Sequence, residues 1–421
     1  MTTTIELLPG VTLRCHPDTR FKQGCLSFSV IRPMCAEEAA LNALIPAVLL
    51  RGTKKYPDLR AITLKLDDLY GASIGTQVRR VGDYQTMGLY CGFLEDRFAL
   101  PGDRILAPMV EFLREVLLEP VQENGVFSKA FVESEKKNLI ATIESELNDK
   151  RAYAMGKMLR TMCKADTFGI PRLGDKEAVA AITPERAWNH YHKSLRESRI
   201  DIFYVGTAPA EEVARLLMPL FDNIERNYVN LSGQTAFHDA GGGDLTESMD
   251  VTQGKLCMGY VTPVTNRDEG FVATQVMNTI FGAGMTSKLF MNVREKMSLC
   301  YAIGSGYYGT KGIVTVSAGI DFDKEQLVRD EIGRQLDALR SGDITDAELT
   351  SAKEALLSSL RGTHDSPGSI EGYYATAALS GMGMTPDVYM DAVRSVTREQ
   401  VAESAKLLKL HTTYFLKGAT E

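Results

Sequence analysis

The chain reads as an α+β protein of two similar halves, each a mostly antiparallel sheet covered by helices. Three observations predict this. Strand-like alternation and helix-like periodicity are mixed without regular βαβ order. A polar, glycine-rich stretch, "NIERNYVNLSGQTAFHDAGGGDLTESMD", divides the chain near its middle. The end of the second half also repeats the grammar of the end of the first.

In the first half, "TIELLPGVTLRCHPD" and "QGCLSFSVIRP" alternate apolar and polar residues around Pro-Gly and Asp, which predicts antiparallel strands. "AALNALIPAVLLRGT" is dense in apolar residues and stops at Gly52, so it reads as a helix. A helix ending at Gly71 and a strand meander follow through "LRAITLKLDDLYGASIGTQVRRVGDYQTMGLYCGF". From Asp103 to Lys150 the pattern is helical, with Phe127, Phe131, Leu139, Ile143 and Leu147 at three- and four-residue spacing. "ESEKK" within it reads as a solvated helix face. Thr183, Pro184 and Glu185 open another helix, and "RIDIFYVG" is a strand.

The dividing stretch, 223–250, reads as a linker between residues 1–222 and 251–421. After it come the strand "GKLCMGYVTP", the helix "EGFVATQVMNTIFG", the strands of "SLCYAIGSGYYGTKGIVTVSAGI" and helices at 323–340 and 346–361. "SVTREQVAESAKLLKLHTTYFLKG" then echoes "AITPERAWNHYHKSLRESRIDIFYVG": a Thr cap, an amphipathic helix, a strand, a glycine. An internal duplication of roughly 200 residues explains the echo.

Composition bounds the function. Of 421 residues 44% are apolar and 24% charged, as in globular proteins, and the formal charge of -7 opposes nucleic acid or an anionic membrane as main partner. Seven cysteines, none in a C-x-x-C pair, predict free thiols in a reducing compartment. "MTTTIELLPGVTLRC" lacks the pattern of a secretory signal, and no run is long enough to cross a membrane; both predict a cytoplasmic protein.

Chemical motifs are sparse. His190 and His192 are the only close histidines, and residues two apart point to different helix faces, so surface or partly buried helix histidines are expected. No H-E-x-x-H, H-x-x-E-H or cysteine cluster appears, so no zinc site is predicted. "FGAGMTSKLF" lacks the Gly-Lys step of a phosphate loop and follows a helix, which predicts a plain interhelical loop. No G-x-S-x-G elbow is present. Arg294, near a helix end, and Tyr301, at a strand start, are by themselves ordinary surface and half-buried residues.

Taken together, the segments resemble the insulinase/pitrilysin (inverzincin) metallopeptidases over nearly the whole chain. "ALIPAVLLRGTKKYP" stands where that family reads roughly "HFLEHMLFKGTKKYP". "FVESEKKNLIATIESELNDK" is similar to the helix bearing the third ligand, and "FGIPRLGDKEAVAAITPERAWNHYH" to the segment closing the first domain. "GAGMTSKLFMNVREKMSLCYAIGS" is similar to "GGMSSRLFQELREKRGLAYSV". Carried over residue by residue, the metal motif falls on Ala43, Pro46 and Ala47, with Thr142 at the third ligand; a two-residue slip would bring Glu144 there. Alanine and proline side chains offer no lone pair to a cation, and Pro46 cannot serve as general base. Arg294 and Tyr301 keep the family's second-half pair.

The resemblance therefore implies half of a clamshell: a zinc-less subunit of a two-chain peptidase. It would supply chamber wall, a peptide-binding sheet edge and the Arg294/Tyr301 pair to a homologous partner that carries zinc, while binding no metal itself. Substrates would be peptides or small unfolded proteins, and isolated copies are free to homodimerise. A non-proteolytic structural or peptide-binding protein is the alternative reading, and an active enzyme with a relocated metal site a third.

Overall fold

The computed structural model describes residues 2–146, 148–230 and 237–419. Strands β1 (Thr3–Leu8), β2 (Val11–Pro17) and β3 (Gln23–Pro33) lead into helices α1 (Ala36–Leu49) and α2 (Leu59–Asp68). Asp58 caps α2 by accepting from the Ala61 N–H at 2.8 Å. The meander is β4 (Ser73–Gln77), β5 (Arg80–Val81) and β6 (Tyr84–Leu94), followed by α3 (Leu106–Leu118).

The helical run expected over 103–150 is interrupted. A two-strand hairpin, β7 (Gln122–Glu123) and β8 (Val126–Phe127), holds Phe127, and α4 (Lys129–Ser145) begins after it. Asn124 and Gly125 both have positive φ, 55° and 79°. This is the turn that an Asn-Gly pair favours, and it outweighs the apolar spacing. Leu147 lies outside the described residues.

Next come α5 (Lys150–Met162), α6 (Lys176–Ala180), α7 (Pro184–Glu197), β9 (Arg199–Gly206) and α8 (Ala210–Leu217). As expected, Thr183 caps α7, accepting from the Arg186 N–H at 3.2 Å. The stretch read as a linker includes a strand, β10 (Gly243–Met249). It pairs in parallel with the last strand of the chain, so its polar residues sit in a ladder that the local composition does not announce. Residues 231–236 of that stretch are outside those described.

The rest is β11 (Gly254–Val261), α9 (Phe271–Phe281), a π-helix (Leu289–Lys296), β12 (Cys300–Tyr308), β13 (Ile313–Ile320), α10 (Glu325–Arg340), α11 (Asp346–Gly362), α12 (Pro367–Ser380), α13 (Pro386–Ser395), α14 (Arg398–Lys406) and β14 (Lys409–Gly418).

The two sheets repeat one topology. The first runs β1-β2-β9-β3-β6-β4, with β5 on β6; the second runs β10-β14-β11-β13-β12. β2 and β9 are parallel, as are β10 and β14, and the remaining neighbours are antiparallel. Taking β2, β3, β4, β6 and β9 in chain order against β10, β11, β12, β13 and β14 reproduces every pairing and direction. The duplication is therefore structural as well as textual.

Each compact unit borrows from the other half of the chain. The first consists of Met1–Glu144, Ile170–Gly233 and His364–Thr376; the second of Ser145–Gly169, Gln234–Thr363 and Ala377–Glu421. In the first unit one sheet face joins α1, α3 and α7 in a core that includes Leu26, Phe28 and Val30 of β3. The alternate residues Cys25, Ser27 and Ser29 face the other way, where Ile370 of α12 packs on Cys25, Phe203 and Val205. In the second unit α5 packs Ala154, Met158 and Met162 against Cys257 and Tyr414 of the sheet. Gly259 permits that approach: a Cβ there would stand 2.6 Å from the Met162 sulfur.

Candidate functional site

The positions where the resemblance would put zinc lie in the first unit. Ala43 and Pro46 are buried on α1, and Ala47 is half-buried. Thr142 is exposed on α4, its hydroxyl donating back to the Asn138 carbonyl at 3.0 Å. Glu144 is half exposed and faces Lys176 at 3.7 Å. Among the described residues no three His, Cys, Asp or Glu side chains gather as a metal would need. The donor set does not fit zinc. Between the end of α1 and α4 the structure instead has an ion pair: Arg51 lies 3.3 Å from Glu135 and over the Phe131 ring. Glu135 also accepts from Asn138 at 3.1 Å.

His190 departs from the expectation of a surface or partly buried residue. It is buried on the inner face of α7, beside Ala187, Tyr191 and Ser194. Its Nε2 lies 2.7 Å from the Asn42 Oδ1, and Asn42 Nδ2 donates to Gln85 at 3.0 Å. Gln85 in turn donates to the carbonyls of Ala39 and Arg172. His192 faces outward.

Burial pushes the His190 imidazole down from 6.5 to about 4, the nearby Glu38 opposing only in part. The folded state thus holds His190 neutral where the unfolded chain would be protonated. Its contribution is complete above pH 6.5 and is lost as pH falls from 6.5 toward about 4. Across that window the loss should approach about 3 kcal/mol at most. Urea midpoints between pH 7 and 4 should fall less steeply in His190→Gln than in the parent; equal slopes would contradict the assignment.

The surviving pair lies in the second unit, and local backbone builds it. Arg294 sits in the π-helix, a rare conformation often found at functional sites. Ser298 closes this helix at φ +51°, where the quoted family pattern has glycine. Strand β12 follows with a bulge: Cys300 pairs with Ile320 and Ala302 with Gly319, leaving Tyr301 as the extra residue. A bulge re-aims its side chain. Tyr301 is 62% exposed.

Arg294 Nε donates to the Tyr301 carbonyl at 3.0 Å, so the pair is joined through main chain. The guanidinium also lies 4.6 Å from the Phe290 ring centre and 3.1 Å from Glu295. The Tyr301 hydroxyl donates to Asp321 at 3.0 Å, and that bond raises the phenol above its usual range. Asp321 is held below the usual carboxylate range, first by Lys324 at 2.7 Å and then by Tyr301. The sequence reading passed over Asp321. Asp321 directly follows Ile320, the partner of Cys300 in the β12–β13 register, and the bulge at Tyr301 lets the phenol reach it.

The site is an exposed phenol backed by an arginine, able to donate to a developing negative charge once Asp321 releases it. Among the described residues no group of three metal-ligating side chains gathers at it.

Comparison with known proteins finds peptidase-like relatives. Residues 181–356 match the family model "Peptidase M16 inactive domain". The chain is 27% identical over 409 residues to the "Probable inactive metalloprotease YmfF" of Bacillus subtilis, covering 97% of this chain and 96% of that protein. A conserved protein of Enterococcus faecalis V583 superposes with a TM-score of 0.92 at 28% identity, over 100% of this chain and 99% of that one. The peptidase M16 inactive domain from Pseudomonas fluorescens superposes at 0.83 and 16% identity, over 100% and 98% of the two chains. Domain match, full-length relative and emptied motif converge: the chain is an M16 peptidase-like protein, and its residues 181–356 match that family's inactive domain.

Proposed function

We propose that the chain is the metal-free half of a two-chain M16 peptidase, lending Arg294 and Tyr301 to a homologous partner that carries H-x-x-E-H and zinc. The observation that carries this reading is the built pair: a π-helix, a left-handed Ser298 and a bulge present Tyr301 to solvent with its carbonyl fixed by Arg294. A phenol so placed suits an oxyanion formed at a partner's metal. The substrate would be an extended peptide or small unfolded protein, and edge strand β4 offers a backbone ladder for it.

The test pairs the chain with an H-x-x-E-H partner in a peptide-cleavage assay. Tyr301→Phe should lower kcat roughly 10²-fold with little change in KM, because the lost bond belongs to the transition state. If the parent chain gives the partner no acceleration, the proposal fails.

A second reading, a structural or peptide-binding protein with no proteolytic role, is favoured by one observation: the Tyr301 hydroxyl is already engaged by Asp321. It requires that no combination of chains show chelator-sensitive cleavage.

A further inference from the structure

In the second unit, α10 lies over the sheet face opposite α5 and leaves a cavity of about 370 Å³. That is at the lower end of the roughly 300–1,000 Å³ typical of small-molecule sites. Met258, Leu336 and Leu410 give it apolar walls, and Tyr260, Arg329 and Arg340 a polar side. Among the described residues, two buried donors in this wall have no ordinary protein acceptor. Tyr260 is 3% exposed, and its hydroxyl meets only the Met258 sulfur, at 3.9 Å. Arg329 is pinned by Asp244 and Glu325 through its terminal nitrogens, while its buried Nε has no partner. Buried donors of this kind are ordinarily satisfied.

The wall also fixes the charge of an occupant. Arg329 and Arg340 are balanced within it by Asp330 and Asp337, and Arg340 donates to Asp337 at 2.9 Å. No net positive charge remains to attract an anion. The unmet groups are donors, so the occupant must bring acceptors.

We infer that this cavity binds a small apolar molecule bearing a neutral carbonyl, such as an acylated amide, with the carbonyl oxygen accepting from Tyr260 and Arg329. The site is separate from the Arg294/Tyr301 pair and independent of the peptidase reading.

The full-length chain with ¹³C-methyl methionine tests this, the Met258 methyl reporting from the wall and assigned through Met258→Leu. N-acetyl-L-leucine methylamide should shift that signal saturably, and hexanoate should bind at least tenfold more weakly. A Cβ at Gly333 meets nothing within 4 Å, so Gly333→Leu adds bulk at the cavity while improving the helix. It should weaken amide binding at least tenfold with thermal stability kept. Tyr260→Phe, which retains the ring, should weaken it severalfold. No saturable shift, tighter binding of hexanoate, or unchanged affinity in a folded Gly333→Leu would each overturn the inference.

Discussion

Arg79→Met should destabilise the first unit by ~3–5 kcal/mol, more than Glu371→Ala at the other end of the same bond. Glu371, on α12, is 1% exposed and accepts from Arg79 at 2.7 and 3.1 Å and from the Ser27 hydroxyl at 2.8 Å. These contacts fasten the borrowed segment to the polar face of the first sheet. Without Arg79, a carboxylate stays buried with no counter-charge, which is the costly way to break such a pair. Without Glu371, Arg79 is left, and its side chain is already 31% exposed and free to turn to water. Glu371→Gln keeps an acceptor for Ser27 and should cost least, about 1–2 kcal/mol. In calorimetry, Arg79→Met should lower the first unit's transition by roughly 6–20 °C. A variant melting within about 2 °C of the parent, or an inverted order of the two losses, would show that α12 is held by Ile370 and Tyr374 alone.

The sequence was readable where its signals are local. The Thr183 and Thr397 caps, the strand after each capped helix and the repeated ending are all present, because capping and alternation are written within a few residues. "RGTKKYP" and the 284–307 segment were legible as resemblance because each is a short contiguous run. What stayed hidden depends on distant partners. Helix α12 contains Pro367, Gly368 and Gly372, which read as punctuation; its tie is Glu371, 292 residues from Arg79. Strand β10 is polar because alternate residues face solvent, and only β14 defines it. The β7–β8 hairpin is the different case, since Asn124-Gly125 was a local signal outweighed by the helical spacing around it. Asp321 needed the strand register, which sequence patterning fixes less firmly than element type.

The second unit has its own buried pair, and Lys311→Met should cost it ~3–5 kcal/mol as well. Lys311, in the β12–β13 turn, and Asp166, after α5, meet at 2.9 Å with both side chains wholly buried. Asp166 also accepts the Phe168 N–H at 2.7 Å and the His238 N–H at 2.9 Å. It therefore gathers the end of α5, the hairpin that carries Tyr301 and the start of the segment leading to β10. Methionine keeps most of the lysine's apolar length, so packing should survive while the carboxylate loses its neutralising charge. The His238 amide, now bonded to an uncompensated anion in a loosened site, should exchange with solvent faster than in the parent. Adding Asp166→Asn removes that charge and should recover about 0.5–3 kcal/mol of the loss, the coupling expected of residues in direct contact. Recovery should stop short of the parent, because one amide oxygen replaces two carboxylate oxygens and the Phe168 and His238 amides compete for it. Full additivity of the two substitutions, or a Lys311→Met protein with parental stability and exchange, would mean that hydrophobic packing of Met158, Met162 and Phe168 holds this junction without the charge pair.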